Sequence, residues 1–317
     1  MRRHLPVLAG VVVLGALATR LGADAFLDGL RAVDAAAVLA ALLLGLLTTL
    51  LAAWRWCLVA RGLGVPLPVA RAVGDTYRAQ FLNSVLPAGV LGDVHRAVQH
   101  GRDGARAVVL ERVAGQLVVI GTGLAILLVS GAGFLAPGPG PVLAVATGAL
   151  LVGAVVWRLP RVRTAVASNV RRGVLTRRTG PGVVLLSVAG LAGHLALFVV
   201  AARAAGAQAP LVELIPLLVA ALLAMVLPVN VGGWGPREAV AAVGFGAAGY
   251  GAALGLTVAV VYGVLGLVAC LPGAAVLLLR RRRESTTPPR GVDDPGPAVL
   301  VPGSRTSPEN SPVVASC

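Results

Sequence analysis

Lysine is absent from this chain of 317 residues, and charge of either sign is scarce: 13% of residues are Asp, Glu or Arg. A soluble globular domain carries about 25% charged residues, so a soluble enzyme is excluded as the default. Aromatic residues make up 4%. The three cysteines, Cys57, Cys270 and Cys317, show no C-x-x-C spacing, which excludes a disulfide framework. His95 and His100 flank a charged stretch without a ligand set beside them, so no metal and no other cofactor is expected. Nothing matches G-x-x-x-x-G-K-[ST], so no ATP-driven step is expected either. No nucleophile–base pair and no second carboxylate at useful helical spacing is visible, which makes an intramembrane enzyme the least favoured class.

What is present is apolar. Hydrophobic residues make up 57%, and the mean hydropathy is +0.88. The apolar residues lie in long blocks, which predicts an all-α polytopic membrane bundle. The net charge is +14, with arginine supplying every basic side chain. With the abundance of Ala, Gly and Val, this is the bias of a GC-rich bacterial genome. The arginines sit beside apolar blocks, so they read as topology signals and anionic-lipid contacts rather than a nucleic-acid surface.

Six blocks are expected to cross fully: Leu5–Gly22, Ala35–Ala53, Val108–Ser130, Val142–Trp157, Val183–Ala202 and Ala252–Leu279, the last with a kink at Pro272. The first is read as an uncleaved span in preference to a signal peptide. Trp54-Arg55-Trp56 reads as an interface anchor. Residues 1–283 form the membrane domain, and 284–317 are rich in Pro, Ser, Thr and Gly, as expected of a disordered tail. Arginine-rich stretches at Arg2/Arg3, 55–106, 158–178 and 280–283 place both termini on the cytoplasmic side of a bacterial inner (plasma) membrane.

Two segments interrupt this pattern. Leu86-Pro87-Ala88-Gly89-Val90-Leu91-Gly92-Asp93-Val94-His95-Arg96 and Leu227-Pro228-Val229-Asn230-Val231-Gly232-Gly233-Trp234-Gly235-Pro236-Arg237 match at five positions at a constant offset of 141 residues. Pro87, Gly92, Pro228, Gly232 and Gly233 are the helix breaks. Paired breaks in corresponding halves point to two re-entrant hairpins related as an inverted repeat. If the second hairpin crosses instead, the bundle has eight spans.

A helix restarting after a break exposes unpaired N–H groups and a positive dipole end, a site for phosphate or carboxylate. Both breaks place an arginine just after the restart, Arg96 and Arg237, and guanidinium holds phosphate bidentately. Asp93 can pair Arg96 while the site is empty, and Glu238 favours its helix N-terminus. Asn83 and Asn230 add neutral donors and acceptors. Arg112 is a phosphate contact, while Glu111 and Asp93 are the candidate coupling groups. All of these charges can also serve to tie broken helices to the bundle, but intramembrane ionisable residues default to a functional reading. His194 reads as a buried, satisfied histidine, Tyr77 and Phe81 as hairpin packing, Glu213 as interfacial.

Taken in order, Arg55-Trp56, Phe81-Leu82-Asn83-Ser84-Val85-Leu86-Pro87, Gly92-Asp93-Val94-His95-Arg96, Glu111-Arg112, and Leu227-Pro228 leading to Gly232-Gly233-Trp234-Gly235-Pro236-Arg237-Glu238 resemble the lysylphosphatidylglycerol synthase transmembrane-region family, also described as flippase-like integral membrane proteins. The resemblance covers about residues 5–280. It departs at Gly92, where a Gly-Gly-Asp run is more typical. It implies a bundle with two re-entrant elements that moves lipids or glycolipids between leaflets. Some members carry a soluble aminoacyl-transferase domain; the residues after Arg283 are too few for one, so aminoacylation is not implied.

The leading expectation is a lipid translocator holding an anionic headgroup, of a phospholipid or a polyprenyl-phosphate lipid, between the two breaks. An ion gradient, the membrane potential or the lipid's own gradient would drive it. One alternative is a non-transporting accessory protein for an envelope glycosyltransferase or lipid-modifying enzyme, docked through the loop at 158–178. Another is an ion-coupled transporter of a small anion. The oligomeric state is not legible.

Overall fold

A computed structural model describes residues 29, 31–86, 91–130, 179–226 and 235–286. Eight helices are formed among them: α1 Ala35–Gly62, α2 Val69–Val85, α3 Leu91–Gln99, α4 Gly101–Val129, α5 Gly180–Ala204, α6 Leu211–Ala224, α7 Pro236–Ala247 and α8 Ala252–Thr286. The described residues contain no strand. The chain parts into two units, Met1–Leu279 and Arg280–Cys317. Of the second, only the end of α8 is described, and it stays helical to Thr286, past the start expected for the tail.

Four helices are long and apolar enough to cross a membrane: Ala35–Gly62, Asp103–Val129, Gly180–Ala204 and Ala252–Leu279. They coincide with four of the six expected spans. The other two, residues 5–22 and 142–157, lie outside the described residues, as do the loop at 158–178, the tail beyond 286 and both break loops, 87–90 and 227–234. α1 continues beyond Ala53 to Gly62 because Trp56, Cys57, Val59 and Ala60 extend its buried stripe.

Local chemistry sets the ends. Asp34 caps α1, its carboxylate accepting the Ala37 N–H at 2.7 Å. α1 and α5 finish alike, with a glycine in the left-handed region (Gly64 φ 78°, Gly206 φ 84°). In each case the next residue reaches back to close a Schellman turn: Val65 N–H to Ala60 O and Ala207 N–H to Ala202 O, both 2.9 Å. Each is followed by a proline N-cap, Pro68 before α2 and Pro210 before α6. The order long helix, glycine stop, proline start therefore occurs twice, 142 residues apart.

The shorter helices pair as hairpins. α2 and α3 run antiparallel, with Asn83 touching Gly92 and Asp93 at the closed end, and Arg78 touching Gln99 further along. α6 and α7 do the same, with Leu217 against Gly244 and Glu213 against Tyr250. At 14 residues α6 is about 21 Å long, short of the roughly 30 Å hydrocarbon core.

One apolar core joins α5 to α8 around Phe198, Leu214, Leu217, Leu218, Phe245 and Leu265. A second, around Trp56, Cys57, Ala72, Ala107 and Val108, joins α1, α2 and α4. Small residues let backbones approach, as bundles in lipid require. A Cβ on Gly273 would lie 2.3 Å from Tyr77 O, and one on Gly45 would lie 2.6 Å from the Ala269 Cβ. Leu39, Leu43, Leu46 and Leu50 of α1 are exposed, as lipid-facing side chains are.

Candidate functional site

The α2–α3 hairpin is held closed by one amide. Asn83, in the last turn of α2, accepts the Gly92 N–H at 2.7 Å and donates to Asp93 Oδ2 at 2.9 Å. It thus satisfies one of the donors that a helix start leaves unpaired. Gly92 is there because a Cβ would lie 2.1 Å from the Ala79 carbonyl oxygen. The pairing brings Asp93 and Arg96 of α3 against α4.

A buried charge network follows. Glu111 of α4 accepts from Arg55 Nε of α1 at 3.0 Å and from Arg96 Nη2 at 2.9 Å. Arg55 Nη1 also donates to Ser187 of α5 at 3.2 Å. Asp93 Oδ2 accepts from Arg112 Nε at 2.8 Å, and Asp93 Oδ1 lies 3.3 Å from Arg96. The Arg96 guanidinium stacks over the Trp56 ring at 4.4 Å. Five helices thereby meet at two carboxylates. Among the described residues, three guanidinium groups (Arg55, Arg96, Arg112) face two carboxylates (Asp93, Glu111), an excess of one positive charge. A neighbouring cluster of α2 and the α3–α4 junction pairs Asp75 with Arg78 at 3.6 Å and with His100, the N-cap of α4, at 3.4 Å.

The second arginine is paired within its own turn. Glu238 of α7 takes the Arg237 Nε–H at 3.0 Å, and its other oxygen accepts the N-cap Gly235 N–H at 2.6 Å. Gly235 at φ 111° is in a conformation that favours glycine. Arg237 lies over the Tyr262 ring of α8 at 5.2 Å. Tyr262 stacks on Phe198 with centroids 4.2 Å apart, and its hydroxyl is 3.4 Å from His194 Nδ1.

Arg96 and Arg237 are each only 3% exposed, and Glu111 and Glu238 are buried with them. Arg112 differs: its side chain is 48% exposed. His194, near the middle of α5, is exposed as well. Protein nevertheless crowds both on their other sides. Asp93 is paired with Arg112 at this exposed edge of the network, and Arg55 with Glu111 behind it. Away from it, α6 and the α7–α8 turn are tied by Tyr250 to Glu213, a hydrogen bond that pushes the exposed phenol above its ordinary pKa.

The structure thus brings together Asn83, Asp93, Arg96, Glu111 and Arg112, and separately Arg237 and Glu238. Asn230, Pro87, Pro228, Gly232 and Gly233 lie outside the described residues. Two expectations are corrected. Trp54 is exposed, as an anchor should be, but Arg55 is bound to Glu111 and Trp56 is buried beneath Arg96. His194 is exposed, not buried. Asp75, Thr76 and Arg78 are buried on α2; their sequence signal was a polar stripe recurring at helical spacing toward Arg96 and Gln99. Among the described residues no three His, Cys, Asp or Glu side chains are grouped to hold a metal.

The family model described as lysylphosphatidylglycerol synthase TM region matches residues 5–273. No curated protein and no solved structure matches the chain.

Proposed function

The chain belongs to the lysylphosphatidylglycerol synthase TM-region family, and from that premise we propose that it moves a lipid or glycolipid with an anionic headgroup between leaflets, without chemistry of its own. Family and apolar helices together make it a multi-pass membrane protein acting in lipid-related processes. The transport reading goes further, and one observation supports it: a buried network whose arginines outnumber its carboxylates, with Arg112 exposed at its edge; we read that edge as the wall of a recess for the headgroup.

In this reading the phosphate of a headgroup takes the place that Asp93 now holds on Arg112, while Arg96 and Arg55 remain anchored by Glu111. Exchanging one acceptor for another at a guanidinium keeps every charge partnered, which low-dielectric surroundings demand. Acyl chains stay in lipid outside the recess. The hairpins α2–α3 and α6–α7 are read as re-entrant elements of an inverted repeat, supported by their antiparallel pairing, the recurring glycine stops and proline starts, and the shortness of α6. The bacterial inner membrane with cytoplasmic termini remains the placement we propose from the arginine distribution.

The test is leaflet exchange of labelled phospholipids and polyprenyl-phosphate lipids in proteoliposomes, wild type beside Arg112→Gln. Arg112 suits the purpose because Asp93 keeps Arg96 and Asn83 when it is replaced. Headgroup-selective transfer, reduced by about tenfold or more in the variant, is expected from loss of one charge-assisted contact. Transfer no faster than in empty liposomes, with and without a pH gradient or potential, would overturn the reading.

A further inference from the structure

Among the described residues, His194 is an exposed titratable group at mid-span that the anion reading leaves without a task. On one side it lies within electrostatic reach of Arg55 from α1 and Arg112 from α4. Ser187, two turns earlier on α5, accepts from that same Arg55. On the other side Tyr262 of α8 meets His194 Nδ1 at 3.4 Å, and the Tyr262 ring lies beneath Arg237. The only titratable residue of α6, Glu213, is at its far end and engaged with Tyr250. The charged groups acting on His194 from the described helices are Arg55 and Arg112, with Glu111 behind Arg55, while Arg237 with Glu238 lies beyond the Tyr262 ring.

We propose that His194 is a proton-binding site coupled to anion binding in the recess, so that a phosphate-bearing headgroup and a proton bind together. This rests on the reading of the recess as an anion site. A proton on His194 adds a cation beside Arg55 and Arg112, where the described carboxylates are already outnumbered. A phosphodiester brought against Arg112 supplies the compensating negative charge. Coupling free energies are reciprocal, so the anion favours the proton as much as the proton favours the anion.

Tyr262 carries the event to the second cluster. While His194 is neutral with its hydrogen on Nε2, the Tyr262 hydroxyl donates to Nδ1. Once water delivers a proton to Nδ1, that nitrogen donates instead, and the hydroxyl hydrogen must turn away. The ring beneath Arg237 is thereby tied to the protonation state of α5.

The experiment is calorimetric binding to purified protein in neutral detergent, using dihexanoyl phosphatidylglycerol, with dihexanoyl phosphatidylcholine as the uncharged-headgroup control and dimethyl phosphate as the free phosphodiester. Each titration is run in two buffers of different ionisation enthalpy, which reports protons taken up per anion bound. Wild type is expected to take up a substantial fraction of one proton near pH 5 and to bind about fivefold more tightly at pH 5 than at pH 7. His194→Gln, an exposed replacement, should bind with no uptake and no pH slope. Tyr262→Phe keeps the ring on Phe198 and under Arg237, and should bind with a displaced slope. Binding of dimethyl phosphate with the same uptake would identify the phosphodiester itself as the coupled group; uptake only with the lipid would require its glycerol or chains, and both support the coupling.

Proton uptake in His194→Gln equal to wild type would overturn the proposal, and so would wild type that binds none of the anions. Absence of leaflet transfer alone would not: it would remove the translocator while leaving a proton-coupled anion site.

Discussion

The two arginines that follow the helix breaks are equally buried, yet they are held in opposite ways. Arg96 is shared by carboxylates on two helices, Glu111 and Asp93, and lies on an aromatic ring from a third. Arg237 has its carboxylate one residue away, and Glu238 also ties down the N-cap of the same helix. The first arrangement makes the charge a joint between helices; the second sets the arginine and its carboxylate in one turn, over the Tyr262 ring of α8. Movement of a neighbouring helix reaches the first charge through ion pairs, and α8 reaches the second through an aromatic contact. If the hairpins repeat each other in backbone, they do not repeat each other in wiring.

Glu111→Gln breaks the comparison most severely. It leaves Arg55 and Arg96 buried with too little countercharge, and a loss of about 3–5 kcal/mol is expected on the scale of broken buried ion pairs, read as a large drop in thermal midpoint in detergent. Glu238→Gln should cost less, about 1–3 kcal/mol, since the amide oxygen can still accept the Gly235 N–H and Arg237 keeps the Tyr262 ring. Equal losses in the two variants would mean that wiring between helices adds nothing. Gly92→Ala tests the joint from the backbone side: its Cβ would meet the Ala79 carbonyl at 2.1 Å, and overpacking of this kind costs about 1–3 kcal/mol. Gly121→Ala on α4, where nothing lies within 4 Å, is the control and should be neutral or slightly stabilising. Arg112→Gln should have the smallest effect on stability, under about 1 kcal/mol, because Asp93 keeps Arg96 and Asn83. A larger loss there would place Arg112 in the structural joint and not at the open edge of the recess.

These differences mark where the sequence could be read. Apolar runs showed four spans because lipid imposes one composition on any helix that faces it, whatever the neighbours. Pro and Gly showed where helices restart, and an arginine after each restart showed where charge enters the bundle. Which carboxylate meets which guanidinium was not visible, because that depends on how α1, α4 and α5 cross. Arg55 shows the difficulty: flanked by Trp54 and Trp56 it has the composition of an interface anchor, yet the stripe Thr48, Thr49, Ala53, Trp56, Cys57, Ala60 carries α1 inward past it. His194 was misread in part for the same reason: a histidine in an apolar run looks enclosed, and here its ring meets Tyr262 but stays exposed.

Gly92 has a mechanical consequence. The backbone of α3 lies against Ala79 of α2, and Gly273 of α8 lies as close against Tyr77. Contacts this close are expected to make the three helices travel as one lever. Pivots are left at its ends, and Gly101, with φ 65° between α3 and α4 and no atom crowding its Cβ position, is shaped to be one. Spin labels paired across α2 and α3 should hold one distance under every condition, while a pair across Gly101 should report whatever swing the recess makes. In this molecule the absence of a single methyl group at Gly92 sets which parts can turn and which must travel together.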